Sequence, residues 1–231
     1  AAVSWAGDVY KRQAFDWNDP AKAAQPFANR DTRLAATILM NAASFKGKKV
    51  AAYVGGADAQ PKPNATKTGY YLRKYLNEDV NVQTGGSSNG HVVPLFRLAE
   101  IYLNYAEALN EYDPTNVDIT YYLNKVRNRA FLPDTPSGLS QEQMRTFIQH
   151  ERRIELAFEE HRAWDVRRWK IASSTLGKPL MGVRVEQKET GGYTYTPVEV
   201  EQRVFQPNMY WYPIPQSEVL KLKQWSQNNG W

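Results

Sequence analysis

Two stretches of the sequence set histidine beside carboxylates, His150-Glu151 and Glu159-Glu160-His161, the residue types of a metal-dependent hydrolase. Their spacing argues against that chemistry. A zinc-binding HExxH helix places its two histidines on one helical face with the glutamate between them. Here Ile154 occupies the second histidine position, and residues 150 and 161 are too far apart for one helical site. Paired carboxylates, Glu100 with Glu107 and Glu151 with Glu155, are the next candidates, because a glycosidase flanks its scissile bond with two such groups. Both pairs fall on helix faces beside arginine, which lowers a carboxyl pKa, whereas a general acid needs it raised. Ion pairing is the stronger reading: Glu155, Glu159, Arg152, Arg162 and Asp165 are spaced to pair along or between helices. The chain has no G-x-S-x-G, Walker loop or dinucleotide fingerprint. No catalytic residue, metal ligand or cofactor is therefore assigned, and the chain is not read as an enzyme.

Aromatic side chains are the other chemical resource, at 13% of residues. Flat rings suit the apolar C–H faces of sugars as well as they suit a core, and they have little conformational freedom to lose on binding. Trp5, Trp17, Tyr53, Tyr70 and Tyr71 lie in loop-rich sequence and are the ligand-binding candidates. Tyr102, Tyr105, Phe147, Phe158 and Trp164 fall on amphipathic helices and are assigned to the core.

Composition narrows the class. The chain has 231 residues, with 42% hydrophobic and 23% charged, enough for one substantial packed domain. A net charge of +5 is compatible with nucleic acid. The basic residues, however, come as short pairs interleaved with Glu and Asp, whereas a nucleic-acid stripe needs one sign along one face, so no nucleic-acid partner is expected. With no cysteine, disulfides, thiol catalysis and Cys-ligated zinc are excluded. No apolar run is long enough to span a membrane, and no export signal is recognised.

The elements that must position these residues fall into three regions. Residues 1–13 read as a non-native or disordered lead. Residues 14–94 are loop-rich, broken by Pro20, Pro26, Pro61, Pro63 and the Gly55-Gly56 and Gly85-Gly86 pairs, with extended pieces at Leu34–Met40 and Lys49–Val54. Residues 95–175 are helical. Leu95, Leu98, Tyr102, Tyr105, Ala106 and Leu109 make one stripe over 95–110, and Ile119, Leu123, Val126 and Ala130 make another over 117–130. These two helices should pack antiparallel, with Ala99, Ala106 and Ala108 allowing the close approach of a tetratricopeptide-like (TPR-like) pair. Ser140 and Gln143 form a capping box opening a third helix to about Glu160, and a further turn carries Trp164 to Ile171. Residues 176–231 hold a hairpin, with Val183 and Val185 alternating, a turn at Gly191-Gly192, and Tyr193 and Tyr195 on the return.

Four blocks carry a family resemblance: Arg97-Leu-Ala-Glu-Ile-Tyr-Leu-Asn-Tyr-Ala-Glu-Ala-Leu-Asn-Glu111, Leu123-Asn-Lys-Val-Arg-Asn-Arg-Ala130, Glu151-Arg-Arg-Ile-Glu-Leu-Ala-Phe-Glu-Glu-His-Arg162 and Trp164-Asp-Val-Arg-Arg-Trp169. In order and spacing they resemble the SusD/RagB family. Phe15-Asp-Trp-Asn-Asp-Pro20, Asn29-Arg-Asp-Thr-Arg-Leu34, Thr68-Gly-Tyr-Tyr-Leu-Arg73 and the ending from Tyr212-Pro-Ile-Pro to Asn-Asn-Gly-Trp231 extend the likeness from about residue 15 to the end. Thr32 stands where the family usually has Pro, and Phe45 where Trp is common.

The resemblance implies a mainly α, partial SusD-like α/α superhelix: a TPR-like helix pair plus further helices, long loops and a small β-hairpin. It is similar to the carboxy-terminal portion of such proteins, whose amino-terminal half supplies other helical repeats, the signal peptide and the lipid-attachment cysteine. Apolar helix faces here should then meet that half. The function implied is cell-surface binding of a glycan or other nutrient, an oligosaccharide or polysaccharide. The ligand would be delivered to a SusC-type TonB-dependent transporter at the outer membrane of a Bacteroidetes-type bacterium, with membrane attachment only through the lipid anchor. The alternative is a helical interaction module that docks on the transporter without a ligand site of its own.

Overall fold

The computed structural model describes residues 15–79, 94–221 and 223–231. The lead at 1–13, Trp5 and the Gly85-Gly86 pair lie outside the described residues. Eight α-helices and three two-stranded antiparallel sheets occur among those described. None of the helices is long and apolar enough to cross a membrane.

The loop-rich region is held by short helices with strong caps. In α1 (Pro20–Ala24) the Asp19 carboxylate accepts from the amides of Ala21 and Lys22, and Pro20 takes a first-turn position that needs no N–H. In α2 (Thr32–Thr37) Asp31 caps the amide of Arg33 at 3.0 Å. The extended piece expected over Leu34–Met40 is thus mostly helix, because the cap and the anchoring of Arg33 override β-propensity. Only Ile38–Leu39 (β1) is strand, paired with Tyr71–Leu72 (β4). Likewise, of Lys49–Val54 only Lys49 is in a strand: Ser44–Phe45 (β2) pairs with Lys48–Lys49 (β3). Thr32 sits at the first helical position, where Pro would fit, and uses its hydroxyl to donate to the Ala130 carbonyl at 2.8 Å.

Three long helices form the centre: α3 (Leu98–Tyr112), α4 (Asp118–Arg129) and α5 (Gln141–Glu155). α3 packs on both α4 and α5. All four apolar positions expected on α4 are buried. The stripe on α3 is rotated from the expected one: Leu103, Ala106 and Asn110 are buried, while Leu98 and Tyr105 are exposed. Leu95 precedes the helix and is 89% exposed. At α5 the capping box is present, with Ser140 Oγ accepting from the Gln143 amide and Gln143 Oε1 accepting from the Ser140 amide.

α5 ends at Glu155, short of the expected Glu160. Arg97 donates to the Glu155 carbonyl at 2.8 Å and Lys74 to the Ala157 carbonyl at 2.9 Å, capping the freed carbonyls from outside. Phe158 and Glu160 then take left-handed φ values of 63° and 64°, turning the chain into α6 (His161–Arg168) and α7 (Ala172–Leu176).

The hairpin pairs β5 (Leu180–Gln187) with β6 (Tyr193–Glu201), Val183 opposite Pro197 and Val185 opposite Tyr195. Gly191 and Gly192 have positive φ at its turn. β5 is tied to the loops by bonds from the Val183 amide to the Thr68 carbonyl and from the Val54 amide to the Val185 carbonyl. After it come a 3-10 turn at Pro207–Tyr210 and α8 (Gln216–Val219).

Two cores result. One joins Leu103, Ala106, Leu123, Val126 and Ile148 of the helices. The other joins Leu34, Ile38, Tyr70, Ile154, Val183 and Val185. α5 serves both, through Ile148 at one end and Ile154 at the other.

Candidate functional site

Between the two cores lies the cluster that the sequence marked as chemical. Glu151 and Glu155, one helical turn apart on α5, are 1% and 3% exposed. The Arg33 guanidinium bridges them at 2.7 and 2.9 Å and also bonds Asp31 at 2.7 Å. Arg127 takes the other oxygen of Glu151, and Arg97 and Arg129 reach Glu155. Glu159 binds Arg97 and Lys74. Burial works against the charged form of Glu155, yet the hydrogen bonds and charges of Arg97 and Arg33 prevail and hold its carboxyl below the usual range. Glu159 is depressed in the same way. A lowered pKa is the opposite of what a general acid needs, and the ion pairs of Glu151, Glu155 and Glu159 tie the loops to the helices. Glu107 is likewise occupied, by Arg168 and the Trp169 indole N–H. Among the described residues no group of three His, Cys, Asp or Glu is arranged to hold a metal.

A concave feature lies elsewhere, a cleft of about 1120 Å³ where the α5–α6 turn, the start of β5 and the loop carrying Trp17 converge. Rings of Trp17, Phe158, Trp164 and Tyr212 line it. Trp164 and Tyr212 have centroids 6.1 Å apart. Arg167 stacks on the Tyr212 ring at 4.9 Å while donating to the carbonyls of Ala163 and Met209, which fixes that ring against α6. Trp17 packs edge-on to Phe15 at 5.0 Å. Gly182 lies in the wall because a Cβ there would meet the Thr68 carbonyl at 2.7 Å.

Among the described residues four cations, Arg153, Arg162, Lys178 and Arg203, also line the cleft, against one carboxylate, Glu160. Burial, and then the neighbouring charge of Arg162, push the Arg153 guanidinium down to about 10, so it stays charged at neutral pH. Arg162 is also lowered by burial, an effect that the charge of Asp165 partly offsets.

The structure separates the five ring candidates. Trp17 is half-buried and faces the cleft; Tyr70 reaches it from the core, being 8% exposed and packed edge-on to Phe27. Tyr53 stands away from the cleft, its ring 5.5 Å from Tyr193. Tyr71 spends its hydroxyl within its own loop, donating to the Asp58 carbonyl and accepting from the Thr66 amide. Trp5 is outside the described residues.

The rings assigned to the core also divide. Tyr102 and Phe147 pack against the helical core, but Tyr105, Phe158 and Trp164 are 44%, 51% and 64% exposed. Phe158 is turned outward by its left-handed backbone. Trp164 has only polar residues one turn away on either side, Glu160 and His161 before it and Arg167 and Arg168 after it. That absence of an apolar stripe was the available signal for a surface ring. Tyr212, Arg153 and Arg162 had no comparable signal.

Comparison with known proteins supplies the wider frame. The model of the SusD family matches residues 11–231. A curated SusD-like protein of Formosa agariphila is 43% identical over 106 residues, 44% of this chain and 19% of that protein. The structure of a SusD-like carbohydrate binding protein from Bacteroides fragilis superposes with a TM-score of 0.75 at 30% identity, covering 94% of this chain and 46% of that one. A laminarin binding SusD-like protein gives 0.54 at 29% identity, over 87% and 35% of the respective chains. The chain thus spans less than half the length of these proteins.

Proposed function

We propose, for a chain that belongs to the SusD family, that it binds a glycan in the cleft between the α5–α6 turn and β5. The observation that carries this reading is the group of rings at one concave site, Trp17, Trp164 and Tyr212, two of them large and exposed. Stacking on sugar C–H faces supplies the attraction and the neighbouring polar groups orient hydroxyls. The SusD-like relatives whose names record carbohydrate and laminarin binding support the same ligand class. Binding without catalysis is favoured because Glu160 is the one carboxylate among the described lining residues, and glycoside hydrolysis needs two. In the full-length protein the captured oligosaccharide is passed to a SusC-type TonB-dependent transporter at the outer-membrane surface, where a lipid anchor holds the assembly.

A glycan array probed with the purified chain tests the reading. Retention of a defined glycan class supports it, and a folded chain that retains none contradicts it. A second reading, docking on the transporter without a ligand site, draws on the outward apolar residues Leu98, Ile101 and Tyr105 of α3, which are 62%, 50% and 44% exposed. Capture of the barrel by a chain that ignores every glycan would favour it.

A further inference from the structure

Of the four arginines buried among the described residues, Arg33, Arg127 and Arg152 are matched to carboxylates, while Arg30 donates to the Pro26 carbonyl and lies over the Phe15 ring. Arg33 meets Asp31, Glu151 and Glu155; Arg97 meets Glu155 and Glu159; Arg127 meets Glu151; and Arg152 meets Asp165. The cleft departs from this matching. Among the described residues no carboxylate comes within 4.0 Å of Arg153, Arg162, Lys178 or Arg203. Arg203 donates to the carbonyls of Lys178 and Thr175 instead. Arg153 and Arg162 are both half-buried, and the charge of Arg162 disfavours the ionised form of Arg153. A partly desolvated guanidinium beside another cation costs free energy, a cost that Asp165 offsets only in part at Arg162, and an incoming anion recovers it.

We propose that the glycan taken by this cleft is anionic, its carboxylate or sulfate groups held by Arg153 and Arg162 while its sugar faces lie on Trp164 and Tyr212. This deepens the glycan-binding reading and rests on it. The planar guanidinium matches both groups with two parallel hydrogen bonds. Lys178 and Arg203, joined by the bond from Arg203 to the Lys178 carbonyl, add positive charge at the foot of the hairpin, so that more than one charged sugar finds a partner. A neutral glucan would bring these cations no anionic partner.

The test is isothermal titration of the 231-residue chain with three oligosaccharides: an oligogalacturonide bearing carboxylates, an oligocarrageenan bearing sulfates and a neutral laminari-oligosaccharide. One or both charged ligands should bind, more weakly as sodium chloride is raised, and the ligand that binds identifies the anion. The double variant R153Q/R162Q should lose at least about tenfold in affinity for it. Its melting temperature should not fall, because the substitution removes like-charge repulsion, so a lost titration signal is not lost folding. Preference for the neutral ligand, or unchanged anion affinity in R153Q/R162Q, would overturn the inference and leave glycan binding standing. A folded chain that binds none of the three, nor any glycan on the array, would overturn both.

Discussion

Arg33 and Glu155 are 122 positions apart in the sequence and 2.9 Å apart in the structure. Their contact, shared with Glu151 and Asp31, joins the loop-rich first region to the end of α5, whose following turn carries Phe158 and Trp164 into the cleft. The position of the cleft rings therefore depends on this buried junction.

Removing Arg33 leaves Glu151 and Glu155 buried with fewer cations. Breaking a buried pair in this way costs about 3–5 kcal/mol, and for a chain of this length each kcal/mol lowers the melting temperature by about 2–4 °C. Arg33→Ala should therefore melt about 6–20 °C below the parent by calorimetry. A loss of only a degree or two would mean that Arg97, Arg127 and Arg129 suffice.

The same junction sets an acid limit. Asp31, Glu155 and Glu159 have carboxyls held below their ordinary values, in each case with burial acting against the charge and arginine or lysine contacts outweighing it. A depressed carboxyl contributes stability that is complete above its unfolded value, 4.5 for glutamate, and is lost as pH falls through the folded value. Melting temperature should decline gently below 6.5, because burial holds the His150 imidazole below that ordinary value and the unfolded chain takes up its proton first, and then drop steeply below about 4. The drop should be smaller in Glu155→Gln than in the parent. A parent protein equally stable at acid and neutral pH would contradict this.

Much of this architecture was legible in the sequence, for identifiable reasons. α4 and α5 announce themselves by apolar residues at helical spacing and by the Ser140–Gln143 box, and the hairpin by alternation about Gly191-Gly192. What was not legible depended on distant partners. α2 replaced an expected extended piece because Asp31 and Arg33 are fixed by α5, and α5 stopped early because Arg97 and Lys74 cap it from outside. Of the cleft lining, Trp17 and Tyr70 are among the rings that the loop sequence offers, whereas Trp164 is assigned to the core on a periodicity that its polar neighbours do not support. Tyr212, Arg153 and Arg162 enter only through tertiary placement.

Gly69 is a second structural dependency. It has φ of 77°, and a Cβ on it would collide with the Val183 carbonyl, so the residue allows β5 to lie against the Thr68 loop. Gly69→Ala combines left-handed strain with that clash and should cost about 1–3 kcal/mol or more, read as a lower melting temperature. An unchanged melt would show that β5 docks without needing this close approach.

Arg167 acts through Tyr212. By stacking on that ring at 4.9 Å it orients a cleft wall without itself lining the cleft. Arg167→Ala should weaken glycan binding several-fold, consistent with the ~0.5–2 kcal/mol of such stacks, and Arg167→Lys should restore part of it. Equal losses in both variants would point to the carbonyl bonds instead.

The most direct test is isothermal titration of Trp164→Ala beside Tyr53→Ala, using a glycan retained by the parent on an array. Trp164 is 64% exposed in the cleft and Tyr53 packs away from it on Tyr193. Trp164→Ala should lose about 1–3 kcal/mol of binding with little change in melting, while Tyr53→Ala keeps its affinity. Full affinity in Trp164→Ala together with loss in Tyr53→Ala would place the ligand elsewhere and contradict the assignment of the cleft.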